Sequence, residues 1–332
     1  MPDPYPLLLL PDFRERVWGA RDLSPIYPNY KVEGELVGEV WLTGDDCRVA
    51  NGALAGQTLG DLAKRFGRDL VGEAAPDPYR FPLLLKFLFP REKLSVQVHP
   101  DDETARRSGL PHGKSECWYV LAAEIHAQVG LGLKPGTSRS DFEAAVRRSD
   151  RADALLNWIY VKPGEMIYNP AGTVHCIGPG SVLLEVQQNS DVTYRLYDYG
   201  RARELHLEQG LAAMKDETNL GKVRPLGDTQ MSSLISARHF CVERHRCEGG
   251  RWVSSSNRPE HSWSSAGVVV GLEGCGVIEA KGMLPVTFGR GEVVVVPAGV
   301  DSFFIKPQWS AEFITVTHPP AGTRVEPETY LP

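Results

Sequence analysis

Four side chains able to bind a transition metal fall on three short stretches of this chain. Gln97 and His99 lie in Ser95-Val-Gln-Val-His-Pro100, Glu116 lies in Gly113-Lys-Ser-Glu-Cys-Trp118, and His175 closes Gly164-Glu-Met-Ile-Tyr-Asn-Pro-Ala-Gly-Thr-Val-His175. The stretches read as strands, and side chains two apart on a strand share a face. Gln97 therefore points with His99, and Lys114 with Glu116. Two imidazoles, a carboxylate and an amide oxygen suit a divalent transition ion and leave a position open for water or a substrate. An open position points to catalysis rather than to a structural site.

The elements that must carry these residues are mostly β. Gly and Pro are frequent, at 33 and 25, and the apolar runs are short, a pattern of strands separated by many turns. Strands are expected near 94–98, 117–121, 127–131, 159–161, 166–168, 181–187 and 193–195. Helices are few. Thr58 with Asp61 opens one, Ser140 with Glu143 forms a capping box ahead of another, and 204–215 makes a third. Asp101 to Glu103 cap a short helix running to Arg107.

The turn pattern repeats. Gly164-x5-Pro170-Ala-Gly172 recurs as Gly291-x5-Pro297-Ala-Gly299, with Ser302 where the first copy has His175. Strand-like runs surround the second copy at 267–272, 276–278, 293–296, 302–305 and 312–317. The reading is two domains: 1–225, metal-binding and catalytic with N-terminal strands and helices, and 226–332, smaller and metal-free. The joint falls in the polar stretch 221–232.

Composition narrows the function classes. The chain has 332 residues, 42% hydrophobic and 23% charged, enough for two domains with sizeable cores. A net charge of −6 gives no electrostatic case for nucleic acid or an anionic membrane. No apolar run approaches the roughly 18–20 residues of a spanning helix. Leu7 to Leu10 is too short for a signal sequence, so export is not expected. Six cysteines without a C-x2-C pair read as reduced thiols of a cytoplasmic protein. Cys117 and Cys176, each beside a candidate ligand, should face the opposite side of their sheets and take no part in catalysis. The seven other histidines lie outside any ligand pattern.

The motif around His175 resembles the second motif of the cupin jelly-roll barrels, in which Pro-x-Gly turns the chain and delivers a histidine to the interior. Longer blocks resemble the type I phosphomannose isomerases in their short bacterial form: Phe81-Pro-Leu-Leu-Leu-Lys-Phe87, Leu94-Ser-Val-Gln-Val-His-Pro-Asp-Asp102, Gly113-Lys-Ser-Glu-Cys-Trp-Tyr119, Pro170-Ala-Gly-Thr-Val-His175 and Leu184-Glu-Val-Gln-Gln-Asn-Ser-Asp-Val-Thr-Tyr-Arg-Leu-Tyr-Asp198. Gly38-Glu-Val-Trp41 extends the likeness toward the N-terminus.

That resemblance implies two cupin β-barrel domains with a few short helices. It implies one zinc ion on Gln97, His99, Glu116 and His175, and a pocket of Lys86, Ser95, Lys114, Glu185 and Arg195. The implied reaction interconverts mannose 6-phosphate and fructose 6-phosphate through an enediol. Glu185 and Lys114 are the candidates for the base, the latter if a nearby cation lowers its pKa. Arg195 stays protonated and serves the enediolate or the phosphate. Lys86 and Ser95 are the remaining phosphate contacts. The partner is a small sugar phosphate, and the assembly is a monomer or homodimer. Short members lack the inserted helical domain of longer ones, and this chain has little room for it.

Two other readings compete. His99, Glu116 and His175 alone are the two-histidine, one-carboxylate set of non-haem iron dioxygenases. Against it stand Gln97 and the Lys114/Arg195 pair, which suit an anionic sugar. A non-catalytic, metal-containing cupin that binds sugar phosphate would share the same residues.

Overall fold

The computed structural model of the chain describes residues 5–227, 230–248, 253–254, 265–300, 302–319 and 327–332. Strands make up most of its regular structure, with a few short helices, as the sequence leads one to expect. Among the described residues the strands form antiparallel sheets of nine, eight and five. No helix among them is long and apolar enough to cross a membrane.

The five-stranded sheet runs in the order Tyr194–Tyr197, Val96–Val98, His175–Ile177, Gln128–Leu133, Leu156–Tyr160. At the centre of the eight-stranded sheet lie Leu83–Leu88, Ser181–Gln188, Glu116–Ala123 and Met166–Asn169. The two sheets share an apolar core. Leu88, Trp118, Val120, Ile167 and Leu183 from one meet Val129, Leu131, Ile159 and Ile177 from the other. Each such side chain contributes roughly 1.5–3 kcal/mol when fully buried.

Alternation sorts the other faces. Val96, Val98, Cys176 and Leu196 point away from the shared core, under Phe142 and Val146 of helix Arg139–Arg147 and Leu211 of helix Leu207–Ala213. Leu85, Phe87, Cys117, Tyr119, Leu184 and Val186 likewise point outward. They pack on Val268, Val270, Val293, Val295, Ile314 and Val316 of the nine-stranded sheet. The opposite face of that sheet closes over Val269, Val294, Ile305, Phe288 and Phe313. The unbroken run Val293–Val296 thus serves two cores, which explains why it does not alternate.

Several elements differ from the sequence reading. Helix Arg139–Arg147 is capped by Ser138, not Ser140. Ser138 has an extended backbone, its Oγ accepts from Asp141 N at 3.1 Å, and Asp141 accepts from Ser138 N at 3.2 Å. The third helix is only Leu207–Ala213, because His206 N is bonded to Arg195 O at 2.7 Å and holds the preceding residues against a strand. The runs near 267–278 fuse into the strand Gly267–Ala280, and those near 302–317 into Phe303–Thr317. The strand Leu7–Leu9 pairs with Val293–Val296 in the nine-stranded sheet. Conversely, Thr329–Tyr330 pairs with Gly221–Val223 of the eight-stranded sheet. The two chain ends are therefore exchanged between sheets.

Candidate active site and metal centre

Register brings the polar residues together. Across the five-stranded sheet Arg195, Gln97 and His175 stand side by side. Across the eight-stranded sheet Gln187, Glu116 and Asn169 form one row, and Trp41, Lys86, Glu185 and Trp118 the next. Directly opposed residues share a face. Two residues further along, the same inner face becomes Leu88, Leu183 and Val120. The site is the polar end of an otherwise apolar sandwich.

At its centre the two histidines converge on one carboxylate. His99 Nε2 lies 3.4 Å from Glu116 Oε2, and His175 Nε2 lies 3.3 Å from Glu116 Oε1. The three are buried, with ligand atoms all within 4.8 Å of one another, and no other His/Cys/Asp/Glu group of this kind occurs among the described residues. His261 lies outside the described residues. Burial, helped by the Lys114 ammonium, holds the His99 imidazole well below its ordinary 6.5 and pushes His175 down to about 4. Both rings are therefore neutral near pH 7. Thr173 O lies 2.9 Å from His175 Nδ1, so the ring proton belongs there and Nε2 offers its lone pair. The Pro-Ala-Gly turn that delivers His175 docks on the first stretch, Gly172 N donating to His99 O at 2.8 Å.

Gln97 belongs to the same cluster. Its Nε2 stands 3.1 Å from His175 Nε2, and its Oε1 accepts from Ser95 Oγ at 3.0 Å. The two ends of an amide exchange by a half-turn, so either can address the cluster. The donor set fits a divalent transition ion: two neutral imidazoles, a carboxylate and an amide, with the carboxylate steadied by Asn169 Nδ2 at 2.7 Å.

The remaining pocket residues fare differently. Lys114 Nζ is 2.9 Å from Glu116 Oε2 and 3.2 Å from His99 Nε2. Burial opposes its charge, but Glu116 and Glu185 outweigh burial and raise its pKa. The carboxylates act against the depression by a cation that the sequence reading invoked. Glu185 accepts from Trp118 Nε1 at 3.1 Å. Burial raises its pKa, and Glu116 adds to the rise against the pull of Lys114 and Lys86.

Lys86 is ringed by carboxylates. Its Nζ lies 2.8 Å from Asp191, 3.7 Å from Glu39 and 3.8 Å from Glu185, and 4.6 Å above the Trp41 ring. Glu39 also accepts from Arg16 Nε and Trp41 Nε1. Its burial is overcome by Lys86 and Arg16, which bring its pKa to about 2. Ser95 orients Gln97. Arg195 stands beside Gln97 on the ladder, yet its Nη1 donates to Glu204 O at 2.8 Å and its Nε lies 4.0 Å from Asp198. Its guanidinium occupies the rim.

Asn169, Gln187, Glu39, Trp41, Trp118 and Asp191 are absent from the candidate residues named from sequence. Alternation would have found Gln187 from Glu185 and Asn169 from Ile167. Glu39 and Trp41 fall inside a quoted resemblance. Cys117 and Cys176 face outward, as expected.

Comparison with known proteins points to one family. Residues 8–128 match the family model described as phosphomannose isomerase type I, catalytic domain. Mannose-6-phosphate isomerase ManA of Bacillus subtilis is 34% identical over 314 residues, covering 90% of this chain and 95% of that protein. The mannose-6-phosphate isomerase of Streptococcus mutans serotype c is 37% identical over 261 residues, covering 74% and 79%. A crystal structure of the mannose 6-phosphate isomerase from Bacillus subtilis superposes with a TM-score of 0.81 at 29% identity, over 94% of this chain and 99% of that one.

Proposed function

The chain belongs to the type I phosphomannose isomerase family, and we propose that it interconverts mannose 6-phosphate and fructose 6-phosphate through an enediol, with one zinc ion on Gln97, His99, Glu116 and His175. The observation that carries the reading is the convergence of two buried imidazoles on Glu116, with Lys114 on that carboxylate and Glu185 buried one row away. Such charged rows suit an anionic sugar rather than an apolar oxygenase substrate.

Isomerisation moves a proton from C2 of the open-chain aldose to C1. The carbon acid is weak, so the base needs appreciable proton affinity and the developing oxyanion needs positive charge close by. A bound zinc ion supplies Lewis acidity toward the sugar oxygens. Glu185, its proton affinity raised by burial, takes the C2 proton and, once its carboxyl hydrogen has exchanged with solvent, delivers a proton to C1. Lys114, as an ammonium, donates to the oxygen where charge develops. Arg195, free to exchange its rim carbonyl for a phosphate, grips that group with its planar fork. Lys86 and Ser95 complete the substrate side, Lys86 by exchanging its half-exposed partner Asp191. Residues 1–225 form the catalytic domain and 226–332 a second, metal-free one. Free cysteines and a phosphorylated substrate both favour a cytoplasmic location.

Turnover in deuterium oxide tests the enediol. Deuterium is expected at C1 of the fructose 6-phosphate formed. Quantitative carry-over of the C2 hydrogen, with no solvent label after many turnovers, would contradict it.

A further inference from the structure

We propose that Asp102 is a positioning residue for Lys114, acting through the backbone amides on either side of it. The inference rests on the reading of Lys114 as a group that serves the reacting sugar. Lys114 sits on the short approach to the strand Glu116–Ala123, and its backbone is held at three successive amides. Gly113 N donates to Asp102 Oδ1 at 3.0 Å, Lys114 N to Pro100 O at 2.9 Å, and Ser115 N to Gln188 Oε1 at 2.8 Å. Gln188 in turn gives its Nε2 to the same Asp102 Oδ1 at 2.9 Å. One carboxylate oxygen thus gathers the amides flanking Lys114, one directly and one through Gln188.

The loop has no slack on that side. A Cβ at Gly113 would fall 2.5 Å from Asp101 C and 2.6 Å from Asp102 N, so the loop lies directly on that backbone. Asp102 is itself fixed as the first residue of helix Asp102–Arg107, whose N-cap Asp101 is tied to Lys215 at 2.7 Å. It lines a separate cavity of about 620 Å³, shared with Arg106, Gln188, Lys215 and His239. Its other oxygen faces Arg238 at 4.0 Å and His239 at 3.8 Å, from the turn after strand Met231–Ser236 of the nine-stranded sheet. Asp102 therefore acts on the reaction through Lys114, whose Nζ must stay within reach of both Glu116 and His99.

The test compares Asp102→Ala, Asp102→Asn, Gln188→Ala and Lys114→Met in kcat, KM for mannose 6-phosphate, and bound zinc per chain. Asp102→Ala should lower kcat on the order of ten- to a hundredfold, as small misplacements of reacting groups do, with KM and zinc content little changed. Asp102→Asn should recover most of the rate, because its amide oxygen still accepts from Gly113 N and Gln188. Gln188→Ala should lose part of it, and carries the test if Asp102→Ala does not fold. Unchanged kcat in both Asp102→Ala and Gln188→Ala, beside a large loss in Lys114→Met, would overturn the proposal. So would an Asp102→Asn enzyme as damaged as Asp102→Ala, or a loss explained by missing zinc. Full activity in Lys114→Met would instead overturn the role of Lys114.

Discussion

Lys86 Nζ lies 3.8 Å from Glu185 Oε2, and the two residues are direct partners across the ladder between strands Leu83–Leu88 and Ser181–Gln188. The ammonium tempers a carboxylate whose pKa burial has raised. Removing it raises that pKa further, so the acidic limb of the kcat profile in Lys86→Met should move to higher pH. A kcat–pH profile checks this; a limb that stays in place or moves down would separate Lys86 from Glu185. The same variant leaves buried Glu39 without its strongest opposing charge. Breaking a buried pair from one side costs on the order of 3–5 kcal/mol, which denaturant titration at neutral pH should register.

The base is tested by Glu185→Gln. The amide keeps the shape and can still meet Trp118, but it cannot take a proton. Loss of a general base costs about 10²–10⁴ in rate, so kcat should fall by that range while substrate affinity, measured by equilibrium binding, stays near its original value. Wild-type turnover would remove Glu185 from the role.

Asn169 offers a test of the proposed metal centre that leaves every proposed ligand in place. Its amide steadies Glu116 at 2.7 Å. Loss of such outer support typically weakens metal binding about 10–100-fold. Asn169→Ala should show that drop in competition with a chelating dye. Unchanged affinity would mean that Glu116 is oriented by Lys114 alone.

Acid should unfold the metal-free protein earlier than an ordinary β protein of this size. His99 and His175 have folded pKa values depressed below 6.5, the latter to about 4. Below pH 6.5 the unfolded state binds protons that the folded state refuses, so stability falls as pH falls. Each ring contributes about 1.4 kcal/mol of loss per pH unit until its folded pKa is reached. Urea midpoints of chelated protein should therefore decline from pH 6.5 toward 4, and His175→Ala should flatten part of that slope. A flat dependence in the parent would contradict neutral, buried rings.

The parts of the site legible in the sequence are those set by local geometry. Period-2 spacing places Gln97 with His99 and Lys114 with Glu116, and the Pro-Ala-Gly turn delivers His175. What decides the surroundings is register between distant strands. Asp191 reaches Lys86 from 105 positions away, and Glu39 arrives through a third strand, so a lysine that reads as a phosphate contact is met by three carboxylates. Arg195 enters the pocket in the sequence only through the resemblance; its place beside Gln97 comes from strand register, and its guanidinium follows the Glu204 carbonyl on a loop whose path local pattern does not specify. Ser138 and Ser140 both offer a hydroxyl near the start of the same helix, and the bond from Asp141 N to Ser138 Oγ marks the cap. The strand Leu7–Leu9 is three apolar residues whose partner lies near the other end of the chain. Neither periodicity nor turn chemistry reports such a pairing.

Metal-dependent isomerisation of mannose 6-phosphate is open to direct measurement. Purified, zinc-loaded protein should form fructose 6-phosphate from mannose 6-phosphate in a coupled assay, lose that activity on chelation and regain it on adding zinc. Protein with one zinc per chain and no turnover would contradict it.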